Sequence, residues 1–266
     1  MSTTIIGCGW LGRAFGEALV QQGEKVYGSV RSEEGFEQLS QVGIHPFQLD
    51  LNEAVSIPKE IAEQTKNLVI TLPPLHRDEP MRYHSKLVAL LEQFADNISV
   101  IFTSSTGIYP DEEGEYDESY SFSTDQDSSI LNVAENAIRE NSSAHIIFRL
   151  GGLIGPNRHP IRYLQGRNEV KNPLGLINFV HQGDCVRAML LALETKEIAE
   201  TFNLVFPDRP TRKDYYFSAA KHYQLEPPTF SNESPSKRII SSEKIRQQFD
   251  FEFKYPIHNF PELQFN

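Results

Sequence analysis

The sequence predicts an α/β fold, a doubly wound parallel sheet covered by helices on both faces. Short aliphatic or β-branched runs, typical of buried strands, recur six times before residue 151. A segment long enough for a helix separates each run from the next, and glycines stand where the first run meets the first helix. Because parallel strands need crossover connections, this alternation indicates right-handed β–α–β units.

The first strand is expected at residues 3–6 and the first helix at residues 11–22. The run Thr-Thr-Ile-Ile suits a buried strand, and the helix places Leu11, Phe15 and Leu19 on one face before Gly23 ends it. The other expected strands are residues 25–30, 44–51, 67–72, 99–104 and 145–150. The helices expected between them are residues 33–42, 54–65, 83–94 and 130–140, and the acidic segment 111–127 is expected to be a loop.

The turn between the first strand and helix carries Gly7, Gly9 and Gly12 in the spacing G-x-G-x-x-G. In a dinucleotide-binding turn the first glycine allows the tight turn, the second lets a pyrophosphate approach the backbone, and the third lets helix and strand pack closely. The helix N-terminus then offers N–H groups and a positive dipole end to the phosphates. The alternative is that these glycines serve only a tight turn, but their strand–turn–helix context favours dinucleotide binding.

The domain organisation follows from where this pattern loosens. Beyond residue 150 we expect only a short strand at 177–180, a strand at 202–206, and helices at 183–193, 212–223 and 241–249. We therefore expect a Rossmann-type domain made of residues 1–154 and 176–206. Residues 155–175 and 207–266 are expected to form a small C-terminal lobe that binds substrate.

Ligands of doubly wound sheets bind at the carboxyl ends of the strands. The candidate cofactor-binding residues therefore lie in the loops that follow the strands. They are Gly7, Gly9, Trp10, Leu11, Gly12, Arg31, Ser32, Asp50, Leu51, Leu72, Pro73, Pro74, Ser104 and Gly151.

The end of the second strand bears on which dinucleotide binds. An acidic residue there would accept a hydrogen bond from a ribose 2′-hydroxyl and favour NAD, but the sequence has Arg31 and Ser32. A guanidinium can pair with a 2′-phosphate, which predicts NADP over NAD; a solvated surface arginine is the alternative. Asp50 could hold the adenine amino group with Leu51 against the ring, or could be a simple strand-end aspartate.

Composition excludes several classes of protein. The formal net charge of −11 argues against nonspecific binding to nucleic acid or to an anionic membrane. Cys8 and Cys185 cannot form a disulfide framework, and no spacing typical of metal ligands appears. There is no signal-peptide pattern and no apolar run approaching about 18 residues. We expect a cytoplasmic protein that acts on a small molecule.

Five segments carry a resemblance to a known family: GCGWLG at 7–12, VRS at 30–32, TSSTGIYP at 103–110, FRLGGLIGPNR at 148–158 and INFVHQGDCVRAML at 177–190. Through them nearly the whole chain resembles the short-chain dehydrogenase/reductase superfamily, in the branch of sugar-nucleotide epimerases and dehydratases. Within that branch it resembles the atypical YeeZ-like group. The resemblance implies an NAD(P)-dependent oxidoreductase or epimerase acting on a nucleotide-sugar-like or other polar carbonyl or alcohol substrate. It also implies a homodimer through the helices after strands four and five, and the apolar 83–94 helix would permit one.

The same resemblance identifies a missing catalytic pair. The family uses a serine or threonine after strand five and a Tyr-x-x-x-Lys pair on the next helix, where the lysine lowers the pKa of the tyrosine. The resemblance places the serine at Ser105, but it aligns the tyrosine with Asp127 and the lysine with Leu131. No lysine lies between Lys86 and Lys171, so the departure survives any shift of register.

Other residues could replace the missing pair. We expect Ser105 to orient the substrate oxygen and Tyr109, or an ordered water, to transfer the proton; a structural aromatic lining the cofactor pocket is the alternative for Tyr109. Further candidates are Tyr116, Tyr120, His181 and Asp184 for acid–base chemistry, and Arg158, Arg162 and Arg167 for an anionic group. The structural interpretation is favoured for His181, as a satisfied polar residue at a strand–helix junction, and for Asp184, as a helix cap; for the arginines the alternative is a solvated basic face. Two functions stay open: an NADP-linked enzyme of atypical mechanism, or a catalytically inactive NADP-binding sensor or regulatory protein.

Overall fold

A computed structural model describes residues 2–74, 79–123, 129–195, 198–231 and 237–264 of the chain. The chain divides into two compact units. The first unit contains Met1–Ile108, Ser121–Phe148 and Val186–Thr201, and the second contains Tyr109–Tyr120, Arg149–Cys185 and Phe202–Asn266. Asp127, the position aligned with the family's tyrosine, lies outside the described residues.

The strands and helices alternate as the sequence predicts. The strands are β1 (Ser2–Ile6), β2 (Lys25–Val30), β3 (His45–Gln48), β4 (Asn67–Ile70), β5 (Ser99–Ser105), β6 (Gly114–Tyr116), β7 (Ala144–Leu150), β8 (Gly152–Ile154), β9 (Phe179–His181), β10 (Ala199–Leu204) and β11 (Arg238–Ile240). The helices are α1 (Trp10–Gln21), α2 (Glu33–Gln41), α3 (Lys59–Gln64), α4 (Pro80–Leu91), α5 (Ile130–Asn141), α6 (Ile161–Leu164), α7 (Gln182–Glu194), α8 (Arg212–Tyr223) and α9 (Glu243–Phe249). None of the described helices is both long and apolar enough to cross a membrane.

Seven of the strands form one sheet, in the order β10-β7-β5-β4-β1-β2-β3. Strand β1 runs parallel to both of its neighbours, pairing Ile5 with Gly28 on β2 and Ile6 with Ile70 on β4. The chain therefore builds outward from β1 to β3 and then returns to build the other half from β4. This confirms the predicted Rossmann-type, doubly wound parallel sheet, and the reversal beside β1 is where such sheets bind ligands.

Several predicted element bounds were wrong, for local reasons. The helix predicted over 54–65 is only α3, because Pro58 precedes it and the residue before a proline is disfavoured in helical conformation. The strand predicted over 44–51 shortens to β3, and Asp50 and Leu51 lie in the turn that follows. Two small sheets, β11–β6 and β8–β9, were not predicted as pairs. Their strands have three residues each, too few to show a period.

The core of the first unit lies between the sheet and helices α4 and α5. Tyr83, Leu87 and Leu90 of α4 and Ala134 of α5 are fully buried in it, against strand residues such as Phe102. The apolar face of the predicted 83–94 helix is thus used inside the chain. Because those side chains are buried within the first unit, they cannot form a dimer interface. The predicted homodimer stays a prediction, and it would have to use other residues.

The second unit has its own core, and its last segment is held by main-chain bonds. Tyr215 of α8 is fully buried and donates a hydrogen bond to the carbonyl of Ile257 at 3.1 Å. The Asp184 carboxylate, also fully buried, accepts the N–H groups of Lys254 and Tyr255 at 2.8 and 3.1 Å. Asp184 was predicted as a helix cap or acid–base group; here it fixes the C-terminal segment, residues 250–264, to the start of α7.

Both cysteines are buried and form no disulfide. Burial raises the pKa of the Cys8 thiol to about 12, and it raises that of Cys185 as well. Because the thiolate is the reactive form, both side chains act as packing groups.

Tyr83→Phe should leave the free energy of unfolding unchanged or raise it by about 1 kcal/mol. The Tyr83 hydroxyl is buried without a hydrogen-bond partner among the described residues, so removing it relieves an uncompensated desolvation. The matched control is Tyr215→Phe, which loses bonds to His159 and Ile257 and should lower stability by about 1–2 kcal/mol. Urea denaturation of both variants measures this, and a Tyr83→Phe protein less stable than Tyr215→Phe would contradict it.

Candidate functional site

The glycine turn after β1 is held from the strands on both sides. Gly7 has φ of +85°, the left-handed conformation that glycine adopts without strain, and an added Cβ would lie 2.6 Å from Leu72 Cδ2. Its N–H donates to Ser29 Oγ at 2.8 Å, and its carbonyl accepts from Thr71 Oγ1 at 2.7 Å. The turn is therefore bonded both to β2 and to the residue that follows β4.

The space in front of Gly9 is open. A Cβ added there would meet no heavy atom within 4 Å, whereas one added at Gly12 would lie 2.7 Å from Thr71 Oγ1 and 2.8 Å from the Gly7 carbonyl. Gly9 is the N-cap residue of α1, and the helix has no side-chain cap and no acidic residue in its first turn. An uncapped helix N-terminus behind an open glycine is what a pyrophosphate requires, so the residues present fit a dinucleotide.

Trp10 and Leu11 form the first turn of α1. Leu11 is buried, whereas Trp10, the only tryptophan of the chain, is half-buried at the first helical position. Its indole therefore reports directly on the glycine turn.

Arg31 and Ser32 follow β2 as predicted. Arg31 is exposed and has no ion pair with any described residue. Ser32 caps α2 by accepting the N–H of Gly35 at 3.4 Å, and Glu33 and Glu34 stand in the first helical turn. The guanidinium is therefore available to an anion. The Glu33 and Glu34 carboxylates lie at the N-terminus of α2, where they interact favourably with the positive end of the helix dipole.

Among the other predicted cofactor residues, some have local partners. The Asp50 carboxylate accepts the backbone and side-chain N–H groups of Asn52 at 2.9 and 2.8 Å, and Leu51 packs into the core of the first unit. Leu72 lies against Gly7, Pro73 is exposed and Pro74 is half-buried. An adenine contact at Asp50 and Leu51 stays a prediction, since both side chains already serve the protein itself.

Ser105 and Leu131, which the resemblance aligns with the family's serine and lysine, both lie near Gly107 of the serine loop. Ser105 Oγ accepts the N–H of Gly107 at 3.0 Å. A Cβ placed on Gly107 would lie 3.3 Å from Ser105 Oγ and 3.7 Å from Leu131 Cδ1. The leucine at the aligned lysine position therefore borders this loop, where a lysine would supply a positive charge.

Ser104 points to the opposite face of β5 from Ser105, because neighbouring strand residues alternate. It is buried, and its hydroxyl has no hydrogen-bond partner among the described residues.

Tyr109 belongs to the second unit, where its hydroxyl is already engaged. It donates to Asn203 Oδ1 at 2.9 Å and accepts from Arg149 Nη1 at 2.8 Å, with the side chain 3% exposed. Burial raises the pKa of the phenol, and the Arg149 guanidinium partly offsets that effect. Tyr116 and Tyr120 pack around the ring. This arrangement is typical of a structural tyrosine, and a catalytic role for it stays a prediction.

The remaining candidates in the second unit also have partners. His181 Nδ1 accepts the N–H of Gly183 at 3.0 Å, its ring stacks on Tyr255 with centroids 4.8 Å apart, and burial lowers its pKa. Gly151 donates its N–H to the Leu204 carbonyl at 2.9 Å. Arg158 and Arg167 are exposed, and Arg162 donates to the carbonyl of Asn157 at 3.0 Å. Within the described ranges no group of three or more His, Cys, Asp or Glu side chains could hold a metal ion.

Ser29 and Thr71 are residues of this site that sequence reasoning missed. Both are small hydroxyl residues at strand ends, a class common in strands, and only their contacts with Gly7 distinguish them. Their position in the sequence could have indicated them, because Ser29 stands two residues before Arg31 and Thr71 directly before Leu72, and both of those were predicted to bind the cofactor.

Comparison with known proteins agrees with this geometry. The model of the NAD dependent epimerase/dehydratase family matches residues 4–204. Protein YeeZ of Escherichia coli K12 is 30% identical over 262 residues, which cover 95% of each chain.

Two solved structures show the same fold at low identity. Vestitone reductase from alfalfa superposes with a TM-score of 0.77 at 17% identity, covering 97% of this chain and 95% of its own. UDP-glucuronic acid 4-epimerase from Bacillus cereus gives 0.77 at 15% identity, covering 97% and 96%. At these identities the likeness is one of fold.

Gly7→Ala and Gly9→Ala should differ sharply in stability. Gly7→Ala forces an alanine into a left-handed conformation against Leu72 and should lower the free energy of unfolding by about 1–3 kcal/mol. Gly9→Ala meets open space and should change it by no more than about 0.5 kcal/mol. Thermal and urea unfolding of the ligand-free proteins decide this, and equal losses would mean that the turn is not built as described.

Proposed function

The chain belongs to the NAD dependent epimerase/dehydratase family, and from that membership we propose that it binds NADP on the glycine turn between β1 and α1. We further propose that it acts as an oxidoreductase or epimerase on a polar carbonyl or alcohol substrate. The observation that carries the proposal is the open space before Gly9 at the uncapped N-terminus of α1. A pyrophosphate has both room and donors there.

Arg31 and Ser32 support NADP over NAD in this proposal. A guanidinium without a partner among the described residues suits the 2′-phosphate, which NAD lacks. Around them, the residues assigned to hold the dinucleotide are those predicted from the sequence: Gly7, Gly9, Trp10, Leu11, Gly12, Asp50, Leu51, Leu72, Pro73, Pro74, Ser104 and Gly151. When bound, a nicotinamide dinucleotide supplies hydride transfer.

Ser105 is the residue proposed to orient the substrate. Its oxygen accepts the Gly107 N–H, which fixes the side chain and leaves the hydroxyl proton to donate to a substrate oxygen. A nucleotide-sugar-like substrate is one member of the proposed class; a UDP-glucuronic acid 4-epimerase has the same fold, and at 15% identity that likeness extends to the fold alone. Since the Tyr109 hydroxyl is engaged by Arg149 and Asn203, an ordered water is the better supported carrier of the proton.

A second candidate function is dinucleotide binding without turnover, as a sensor or regulatory protein. The observation that favours it is Leu131 beside the serine loop, since an apolar side chain cannot supply the charge that lowers the pKa of a catalytic phenol. The two candidates share the cofactor site and differ only in chemistry at Ser105.

Arg31→Ala should abolish the preference for NADPH over NADH. Losing a charge-assisted contact to the 2′-phosphate should weaken NADPH binding by about tenfold or more, with little effect on NADH. Quenching of Trp10 emission and enhancement of nicotinamide fluorescence both report the Kd. The control is Arg246→Ala, which removes an exposed arginine paired with Glu243 in the second unit. Failure of the unaltered protein to bind either dinucleotide at millimolar concentration would overturn both candidate functions.

Ser105→Ala should lower the rate of NADPH oxidation with an active carbonyl substrate by about a hundredfold while leaving the dinucleotide Kd unchanged. The expected loss is in kcat, because the hydroxyl acts on the reacting oxygen. Thr103→Val, on the same face of β5, is the matched control. A rate that survives Ser105→Ala removes this serine from the chemistry, and a broad panel of carbonyl substrates without turnover supports the second candidate.

A further inference from the structure

We propose that the Ser29 and Thr71 hydroxyls are positioning residues for the dinucleotide: they hold the glycine turn in its binding conformation before any ligand arrives. The inference rests on the proposed function for what the turn receives. How the turn is held is independent of the proposed function and can be tested on the ligand-free protein alone.

Ser29 secures the turn from the β2 side. Its side chain is 3% exposed, and its Oγ accepts the Gly7 N–H at 2.8 Å. Its carbonyl accepts the next amide, that of Cys8, at 3.0 Å. Two consecutive amides of the turn are therefore bound to a single residue of the neighbouring strand.

Thr71 secures the same turn from the β4 side. Its amide donates to the Ile6 carbonyl at 2.9 Å, and its Oγ1 donates to the Gly7 carbonyl at 2.7 Å. The same Oγ1 would lie only 2.7 Å from a Cβ added to Gly12, so it also packs against α1. Gly7 is thus bound at both its N–H and its carbonyl by side chains from opposite sides of β1.

A turn of this composition needs such support. Glycine has more accessible backbone conformations than any other residue, so a Gly-Cys-Gly segment would lose much conformational entropy when a ligand ordered it. Bonds already present in the ligand-free protein remove that loss from the binding step. They also occupy the amides of Gly7 and Cys8, and the Gly9 N–H donates to the Gly7 carbonyl at 2.7 Å. An incoming phosphate is therefore directed to the amides of the first turn of α1, over the open face of Gly9.

Amide hydrogen exchange of the ligand-free protein tests the first half of the inference. Ser29→Ala and Thr71→Val should each speed exchange across residues 5–12, with the Gly7 amide most affected in Ser29→Ala. Thr103→Val is the matched control, because it removes the same kind of bond, from Thr103 Oγ1 to the Ile70 carbonyl at 3.3 Å, one strand further along. Exchange at the turn that is unchanged in both variants overturns the inference.

Dinucleotide binding tests the second half. Ser29→Ala and Thr71→Val should each weaken NADPH binding, read from Trp10 emission, by about tenfold, and Thr71→Ser, which keeps the hydroxyl, should restore it. Faster exchange with unchanged affinity overturns the positioning role. Faster exchange in variants of a protein that binds no dinucleotide at all means that the proposed function fails while the support of the turn stands. A Thr71→Val protein that does not fold leaves the decision to Ser29→Ala and to Thr71→Ser, whose affinity must then match that of the unaltered chain.

Discussion

The position of β1 between two parallel neighbours is the constraint on which the rest of this structure depends. Since β2 and β4 both end at the edge where β1 ends, each delivers a side chain to the same turn. Ser29 and Thr71 reach Gly7 from opposite sides, and the chain leaves that turn directly into α1. The order of the strands therefore determines both the contacts of Gly7 and the place where the N-terminus of α1 lies.

Sequence reasoning succeeded where the information is local and failed where it is not. The alternation of strands and helices and the spacing of the glycines are visible within a few residues, and each agrees with the structure. The small β6–β11 sheet joins segments more than a hundred residues apart, and a three-residue strand is too short to indicate from its sequence which strand it pairs with. Tyr109 likewise acquires its surroundings from Arg149 and Asn203, 40 and 94 residues along the chain. Nothing near Tyr109 in the sequence signals that its hydroxyl is taken.

Holding a dinucleotide and using it call for different residues, and the two parts of the proposed function depend on different parts of this chain. Binding depends on backbone shape, which Gly7, Gly9 and α1 supply. Proton transfer depends on a phenol whose pKa is brought down by a cation in open contact with it. The cation here is Arg149, yet it meets Tyr109 in a buried setting where desolvation outweighs it, so the pKa rises. In the alignment that the resemblance implies, the helix after β5 carries the apolar Leu131 where the family has a lysine.

The main chain of the C-terminal segment accepts or donates several of the bonds that attach the segment. Asp184 binds the amides of Lys254 and Tyr255, Tyr215 binds the carbonyl of Ile257, and Tyr223 binds the carbonyl of Pro261. On the segment's side these bonds are made by main-chain carbonyls and by amide N–H groups, which every residue except proline carries. Replacing Lys254 by a residue other than proline therefore keeps its bond, whereas replacing Asp184, Tyr215 or Tyr223 by a residue without a polar side chain removes one. Among related sequences we therefore expect Asp184, Tyr215 and Tyr223 to be more strongly conserved than Lys254.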